Sequence, residues 1–145
     1  MIHQLRSDDE AQWRTLWTQY LAFDGSVLDI AIHDGTWCRL LDEGERVHGA
    51  LAVVDADAVG FVHYVFHPST WSLSDACYLQ DLFVAPTMRG RGIGRALISH
   101  VCAEAAAAGS SRVYWQTQAD NAAAIALYDK VAERSGYIQF RKPVV

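Results

Sequence analysis

The amino-acid sequence predicts an α/β protein with a mixed central sheet flanked by helices. Between residues 47 and 66, two segments rich in Val, Ala, Phe and Tyr are separated by a short turn, which predicts an antiparallel hairpin. Between residues 78 and 118, a strand, a helix and a second strand follow one another, which predicts a right-handed parallel crossover. A sheet that combines antiparallel and parallel pairing is a mixed sheet.

Length and composition indicate one ordinary globular domain that spans residues 1–145. The chain has 145 residues, 51% of them hydrophobic and 20% charged, which is enough apolar surface to bury a core. Its net charge of −5 argues against binding to nucleic acid or to an anionic membrane surface, because both require a basic patch. We therefore expect neither a nucleic acid nor a membrane as partner.

The cysteines predict a reducing compartment. Cys38, Cys77 and Cys102 are odd in number, lie among apolar residues and lack Cys-x-x-Cys spacing, so free thiols are the expected state. The first residues lack the pattern of a signal peptide, and no apolar run is long enough for a membrane span. We expect a cytoplasmic protein without a metal site.

The remaining elements follow from periodicity. Residues 2–6 predict a short edge strand, and an apolar stripe from Trp13 to Leu21 predicts an amphipathic helix. Short helices are expected near residues 27–31 and 36–41. The crossover helix should span 92–108 between strands at 78–84 and 112–118. A final helix should begin at Asn121, and a last strand should span 137–142.

A turn rich in arginine and glycine lies between the strand at 78–84 and the crossover helix. Glycines at alternate positions remove side chains that would keep a ligand away from the backbone. N–H groups at a helix N-terminus attract an anion, and arginines add charge-assisted bonds to phosphate oxygens. The turn therefore predicts a pyrophosphate site. Its residues are Arg89, Gly90, Arg91, Gly92, Ile93, Gly94 and Arg95.

Two common phosphate motifs do not fit this turn. A P-loop requires Lys and then Ser or Thr after its last glycine, but Gly94 is followed by Arg95 and Ala96. A dinucleotide fingerprint that starts at Gly90 would require a third glycine where Arg95 stands, and the chain lacks repeated βαβ units.

The pattern Arg89-x-x-Gly92-x-Gly94 after a strand resembles the acyl-CoA signature of the GNAT superfamily of N-acetyltransferases. Residues 78–84 are similar to the polyamine, thialysine and histone-type branch of that superfamily. The resemblance continues in a second block and in Gly136-Tyr137. The second block reads Trp115-Gln116-Thr117-x-x-x-Asn121-x-x-Ala124-x-x-Leu127-Tyr128.

The resemblance implies a GNAT fold with a central mixed sheet of six to seven strands, and acetyl-CoA as co-substrate. It implies that the pantetheine arm inserts beside the strand at 78–84, with Leu82, Phe83 and Val84 as cofactor-binding residues. Leu82 and Val84 would offer their backbone groups to it. The glycine turn would hold the pyrophosphate, with Asn121 as a further contact or only as a helix cap.

The resemblance also implies a general acid. Tyr128 would protonate the departing thiolate, because a phenol has a pKa close to that of a thiol. Its position on an apolar helical stripe allows a purely structural role as well.

The base is harder to predict. The branch has a glutamate immediately before this strand's aspartate, but here that position is Gln80. Asp81 could bind a cationic substrate or relay protons, or it could be an ordinary hydrogen-bonded carboxylate. His63 and His67 are alternatives, although loop histidines are more often without catalytic function.

The combined expectation is an enzyme that moves an acetyl group from acetyl-CoA to a primary amine by direct attack. The acceptor would be a polyamine, an amino acid or a protein lysine. The alternative is a non-catalytic acyl-CoA-binding or sensor domain, in which Tyr128 would be structural. A homodimer is also expected.

Overall fold

The computed structural model of the protein describes residues 1–145, which divide into two compact units, 1–115 and 116–145. The first unit contains a mixed sheet of five strands in sequential order, with β1–β4 antiparallel and β5 parallel to β4. The strands are β1 (Ile2–Gln4), β2 (Val47–Val54), β3 (Asp57–His67), β4 (Ala76–Val84) and β5 (Val113–Tyr114).

The structure confirms the three longer helices that the apolar periodicity predicts. The helices are α1 (Glu10–Asp24), α2 (Ile30–Leu41), α3 (Ile93–Ala107) and α4 (Ala122–Val131), with short 3₁₀ turns at Ser7–Asp9 and Pro86–Met88. None of them combines the length and apolarity that crossing a bilayer would require.

The predicted short helices at 27–31 and 36–41 are wrong, because α2 is one helix that continues through Gly35. A glycine inside a helix costs only about 1 kcal/mol. Burial of Trp37 and Leu40 against the sheet outweighs that cost. Asp29 fixes where the helix begins, because its side chain accepts a hydrogen bond from the Ala31 N–H at 3.2 Å.

The hairpin between β2 and β3 has a tight turn. Asp55 and Ala56 are its two connecting residues, and both have positive φ, at 50° and 68°. That geometry matches the right-handed twist of the flanking strands.

The two faces of the sheet are covered by different helices. On the first face, α1 and α2 pack against β2–β4 through a cluster that includes Trp13, Trp17, Leu51, Phe61 and Phe83. The opposite face packs against α3, whose Leu97 lies next to Gly60 of β3. We call the surface toward α1 and α2 the α1 face.

The expectation of six to seven strands is wrong, because the sheet has five. The predicted strand at 112–118 shortens to Val113–Tyr114, and residues 137–142 form no strand. Alternation along a segment indicates that one side could be buried, but a strand also requires a neighbour to complete its ladder. In the second unit, residues 137–142 pair with no such neighbour, and Tyr137, Ile138 and Phe140 are exposed.

Candidate active site

Strands β4 and β5 part soon after they meet, and they form a fork. They pair only at Cys77 with Val113 and at Tyr78 with Tyr114. From Leu79 to Val84, the edge of β4 that faces away from β3 has no neighbouring strand. We call this stretch the open edge of β4.

The ladder between β3 and β4 determines which peptide groups face the open edge. The Ala85 N–H donates to the Val59 carbonyl at 2.8 Å, so the peptide groups of Ala85 point toward β3. Because antiparallel pairing alternates, the peptide groups of Leu82 and Val84 point to the open edge. These are the two residues that were expected to offer backbone groups to a pantetheine arm.

Phe83 has a different environment. Its peptide groups point toward β3, and its side chain is only 4% exposed among the aromatic rings under α1. The structure thus places Phe83 in the hydrophobic core and not at the open edge.

The glycine turn lies beyond the C-terminal end of β4. Gly90 and Gly92 have φ of +78° and +80°, and a Cβ built on either of them would meet no atom within 4 Å. The backbone is therefore approachable there. Ala96 is the first residue of α3 whose N–H is bonded within the helix, to the Gly92 carbonyl at 3.0 Å, so the N–H groups before it remain available to a ligand.

The residues of the turn fit a pyrophosphate. The N–H groups of Ile93, Gly94 and Arg95 precede the first bond within the helix, at the positive end of a helix of 15 residues. Arg91 and Arg95 are exposed and can add charge-assisted bonds.

Arg89 turns away from the helix N-terminus. Its Nε donates to the Val84 carbonyl at 3.0 Å, and its guanidinium lies over the rings of Phe23 and Phe83, at 5.0 and 5.6 Å. Arg89 therefore ties the turn to the end of β4, and it already occupies the carbonyl of Val84.

Asp81 lies at the centre of a hydrogen-bonded network on the α1 face. The Tyr20 hydroxyl donates to its Oδ1 at 2.8 Å, and His63 Nδ1 lies 2.9 Å from its Oδ2. His63 is 3% exposed, and its Nε2 lies 2.9 Å from Trp13 Nε1.

This network fixes the tautomer of His63. An indole N–H can only donate, so His63 Nε2 must accept from Trp13 and its proton must be on Nδ1. The Nδ1–H then donates to Asp81, so both oxygens of Asp81 act as acceptors, as in an ionised carboxylate. Burial, followed by the charge of Asp81, raises the pKa of Tyr20 and keeps its hydroxyl a donor.

A β-bulge at Gln80 determines what else lies beside Asp81. Asp81 is opposite His63 and Leu79 is opposite Tyr64, so Gln80 is left without a partner in β3. Tyr78 and Asp81 are three residues apart, yet they pair with Val65 and His63, which share one face of β3. The bulge therefore puts both side chains on the α1 face, and nothing in the sequence indicated it.

In the second unit, Asn121 acts as a helix cap. Its Oδ1 accepts from the Ala124 N–H at 3.3 Å, and its Nδ2 lies 3.5 Å from Thr117 Oγ1. Tyr128 is half-buried on α4, and burial raises its pKa, so the phenol keeps its proton.

Comparison with known proteins points to one family. The profile of the acetyltransferase (GNAT) family matches residues 2–132. A D-amino-acid N-acetyltransferase of Saccharomyces cerevisiae is 33% identical over 144 residues, which are 98% of this chain and 89% of that protein. A thialysine N-epsilon-acetyltransferase of Caenorhabditis elegans is 30% identical over 68% of this chain and 64% of its own length. An L-2,4-diaminobutyric acid acetyltransferase of Nocardia farcinica is 35% identical, and the chain spans about half of it, 52%.

Solved structures show the same fold. A probable acetyltransferase superposes with a TM-score of 0.86 at 21% identity, covering 100% of this chain and 98% of that one. An aminoglycoside N-acetyltransferase in complex with CoA superposes with a TM-score of 0.85 at 20% identity, covering 99% and 93%.

The His63 network makes a prediction that spectroscopy can check. In ¹⁵N-labelled protein at neutral pH, long-range ¹H–¹⁵N spectra should show His63 as the neutral Nδ1–H tautomer. Trp13→Phe should leave the proton on Nδ1, because the Asp81 carboxylate still accepts there, but should shift the Nε2 resonance of His63. It should also destabilise the fold by about 1–3 kcal/mol, because it leaves a buried acceptor unpaired. His48, on the other face, is the control and should keep its spectrum in the variant. An Nε2–H tautomer for His63 would contradict the assignment.

Proposed function

Because this chain belongs to the acetyltransferase (GNAT) family, we propose that it transfers the acetyl group of acetyl-CoA by direct attack of a primary amine. It is an acyl-CoA-dependent N-acetyltransferase, and its acceptor is an amine. The observation that supports direct transfer best is the open edge of β4, which joins the glycine turn at one end to the fork at the other.

The glycine turn would hold the pyrophosphate of acetyl-CoA. The N–H groups of residues 90–95 supply donors, and Arg91 and Arg95 supply charge. Arg89 contributes by holding the turn against Val84. The extended arm then has unpaired peptide groups beside it, chiefly those of Leu82, because the Val84 carbonyl is already bonded.

Direct attack is favoured over an acetylated cysteine. Cys77 is the cysteine at the fork, but it is fully buried, and burial raises its pKa to about 11. The thiolate, not the thiol, is the nucleophile, so Cys77 is a poor one at neutral pH.

Asp81 would attract the amine. It presents a carboxylate on the α1 face next to Tyr20, and a partly buried anion of this kind favours a cationic acceptor. The acceptor would be a polyamine, an amino acid or a protein lysine. The relatives named for D-amino acids, thialysine and diaminobutyric acid favour a free amino acid among these.

Tyr128 would act as the general acid toward the departing thiolate. Its raised pKa keeps the proton available until negative charge develops on sulfur. Asn121 would contact the cofactor from the N-terminal cap of the same helix, α4, in addition to capping it.

We further propose a single domain of residues 1–145 that acts as a cytoplasmic homodimer without nucleic-acid or membrane partners. Three free cysteines and the net charge of −5 support this. Exposed apolar side chains in the last segment, such as Ile138 and Phe140, support contact with a second copy.

The glycine turn can be tested with a matched pair of substitutions. Gly92 and Gly109 lie just outside opposite ends of α3 with φ of +80° and +78°, and neither has an atom within 4 Å of a built Cβ. Gly92→Ala and Gly109→Ala should therefore cost similar stability, about 1 kcal/mol. Calorimetric titration with CoA should show at least about tenfold weaker binding for Gly92→Ala only. Equal affinities for both variants would place the pyrophosphate elsewhere.

Acetyl transfer can be tested with acetyl-CoA and a panel of polyamines, amino acids and lysine peptides, followed by release of free thiol. We expect turnover of at least one amine and no acetyl-enzyme in intact-mass spectra. Tyr128→Phe should lower kcat by about 100-fold or more and leave KM nearly unchanged.

The exposed Tyr137 of the same unit gives the control, Tyr137→Phe, which should retain wild-type kcat. Binding of CoA with no turnover of any amine would indicate a sensor domain instead. Full activity of Tyr128→Phe would show that Tyr128 is not the general acid.

A further inference from the structure

An acceptor amine must lose a proton before it attacks, and the residues described so far do not accept one well. A lysine-like amine is about one part in a thousand neutral at pH 7. Gln80 has no basic group, and each oxygen of Asp81 already accepts a hydrogen bond. His63 cannot accept a proton at Nε2 without losing its bond from Trp13.

A second histidine, His67, lies at the fork, and its hydrogen bonds fix the tautomer in which Nε2 can accept a proton. His67 Nδ1 is 2.7 Å from the Pro68 carbonyl, which can only accept, so the ring proton is on Nδ1. His67 Nε2 is therefore an acceptor, and it lies 2.6 Å from the Tyr114 hydroxyl. Tyr114 must donate its proton to His67, which leaves the lone pairs of its oxygen free to accept another.

The Tyr114 ring is held in this orientation by its neighbours. Tyr78 stacks on it at 5.0 Å with an angle of 20° between the planes, and the Arg112 guanidinium lies over it at 5.4 Å. Burial raises the pKa of Tyr114, Arg112 lowers it and Cys77 raises it, with burial the largest cause. The net direction keeps the phenol protonated as a donor.

Tyr114 and His67 also lie where the proposed amine substrate would meet the acetyl group. Tyr114 is the last residue of β5 that pairs with β4, so it marks the closed end of the fork. An arm that runs along β4 from the glycine turn reaches this point after roughly 20 Å of strand. Tyr78 and Asp81 share the α1 face, so the carboxylate that would attract an ammonium is on the same surface as the stacked tyrosines.

We propose that Tyr114 and His67 form the proton relay that deprotonates the acceptor amine. An N–H bond of the ammonium breaks as an O–H bond forms on Tyr114. The original Tyr114 O–H bond breaks as an N–H bond forms on His67 Nε2. Tyr114 ends as a neutral phenol, His67 as an imidazolium, and the amine as a neutral nucleophile. This inference rests on the proposed acetyl transfer to an amine.

The relay is tested by the pH dependence of kcat/KM with the best amine of the panel. Tyr114→Phe keeps the ring and its stacking but removes the oxygen, and His67→Gln removes the base. Each should lower kcat/KM by about 100-fold at pH 7. At pH 10 much of the amine is already neutral, so the defect should shrink to within about threefold.

The double variant and a control variant separate the relay from its alternatives. Tyr114→Phe and His67→Gln combined should be no worse than either alone, because both lie on one path. His48→Gln, on the opposite face of the sheet, should match wild type at every pH. A defect of equal size at pH 7 and pH 10, or one that multiplies in the double variant, would overturn the relay while leaving acetyl transfer intact. If the wild-type protein acetylates no amine, the proposed function itself fails.

Discussion

The site depends on the unpaired peptide groups of β4. Over most of its length this strand has a neighbouring strand on one side only. Its edge toward β3 is paired from Ala76 to Val84 except at the Gln80 bulge, whereas its other edge is paired only at Cys77 and Tyr78. Peptide groups in a partly buried strand need hydrogen-bond partners, and Leu82 has none in the sheet on that side. An extended substrate arm with amide groups can supply what a fifth full-length strand would have supplied.

The other parts of the site are positioned around that edge. The glycine turn follows its C-terminal end after the 3₁₀ turn Pro86–Met88, and Arg89 bonds the Val84 carbonyl there. The fork closes its N-terminal end with the stacked rings of Tyr78 and Tyr114. Between these ends, the bulge at Gln80 shifts the register by one residue and brings Asp81 onto the α1 face.

The network beneath this face links the substrate side to the core. Trp13 and Tyr20 come from α1, His63 from β3 and Asp81 from β4, and they are joined by hydrogen bonds of 2.8–2.9 Å. Because each donor and acceptor is matched, the carboxylate is held in one orientation without a cationic partner. In the proposed site, that arrangement would leave the charge of the partly exposed Asp81 available to an ammonium ion.

Local features of this site were predictable from the sequence, and long-range ones were not. The glycine turn and the Asn121 cap depend on a few adjacent residues, and the structure has both. The bulge, the fork and the bond from Trp13 to His63 depend on how separate strands and helices align. For the same reason the predicted strand at 137–142 was wrong, since its alternating residues meet no partner strand. Which amine enters is likewise decided by side chains that only the fold brings together.

The contacts proposed for the open edge are made by backbone groups, which a side-chain substitution does not remove. They can instead be measured at the backbone itself. Amide hydrogen exchange, resolved by residue with and without saturating CoA, reports whether peptide groups gain partners. If the arm lies along the open edge, exchange should slow at Leu82, at Val84 and through residues 90–95, with little change at Phe83, whose N–H already bonds β3. Slowed exchange in the turn with none at Leu82 and Val84 would contradict it, because the arm would then leave β4 unpaired.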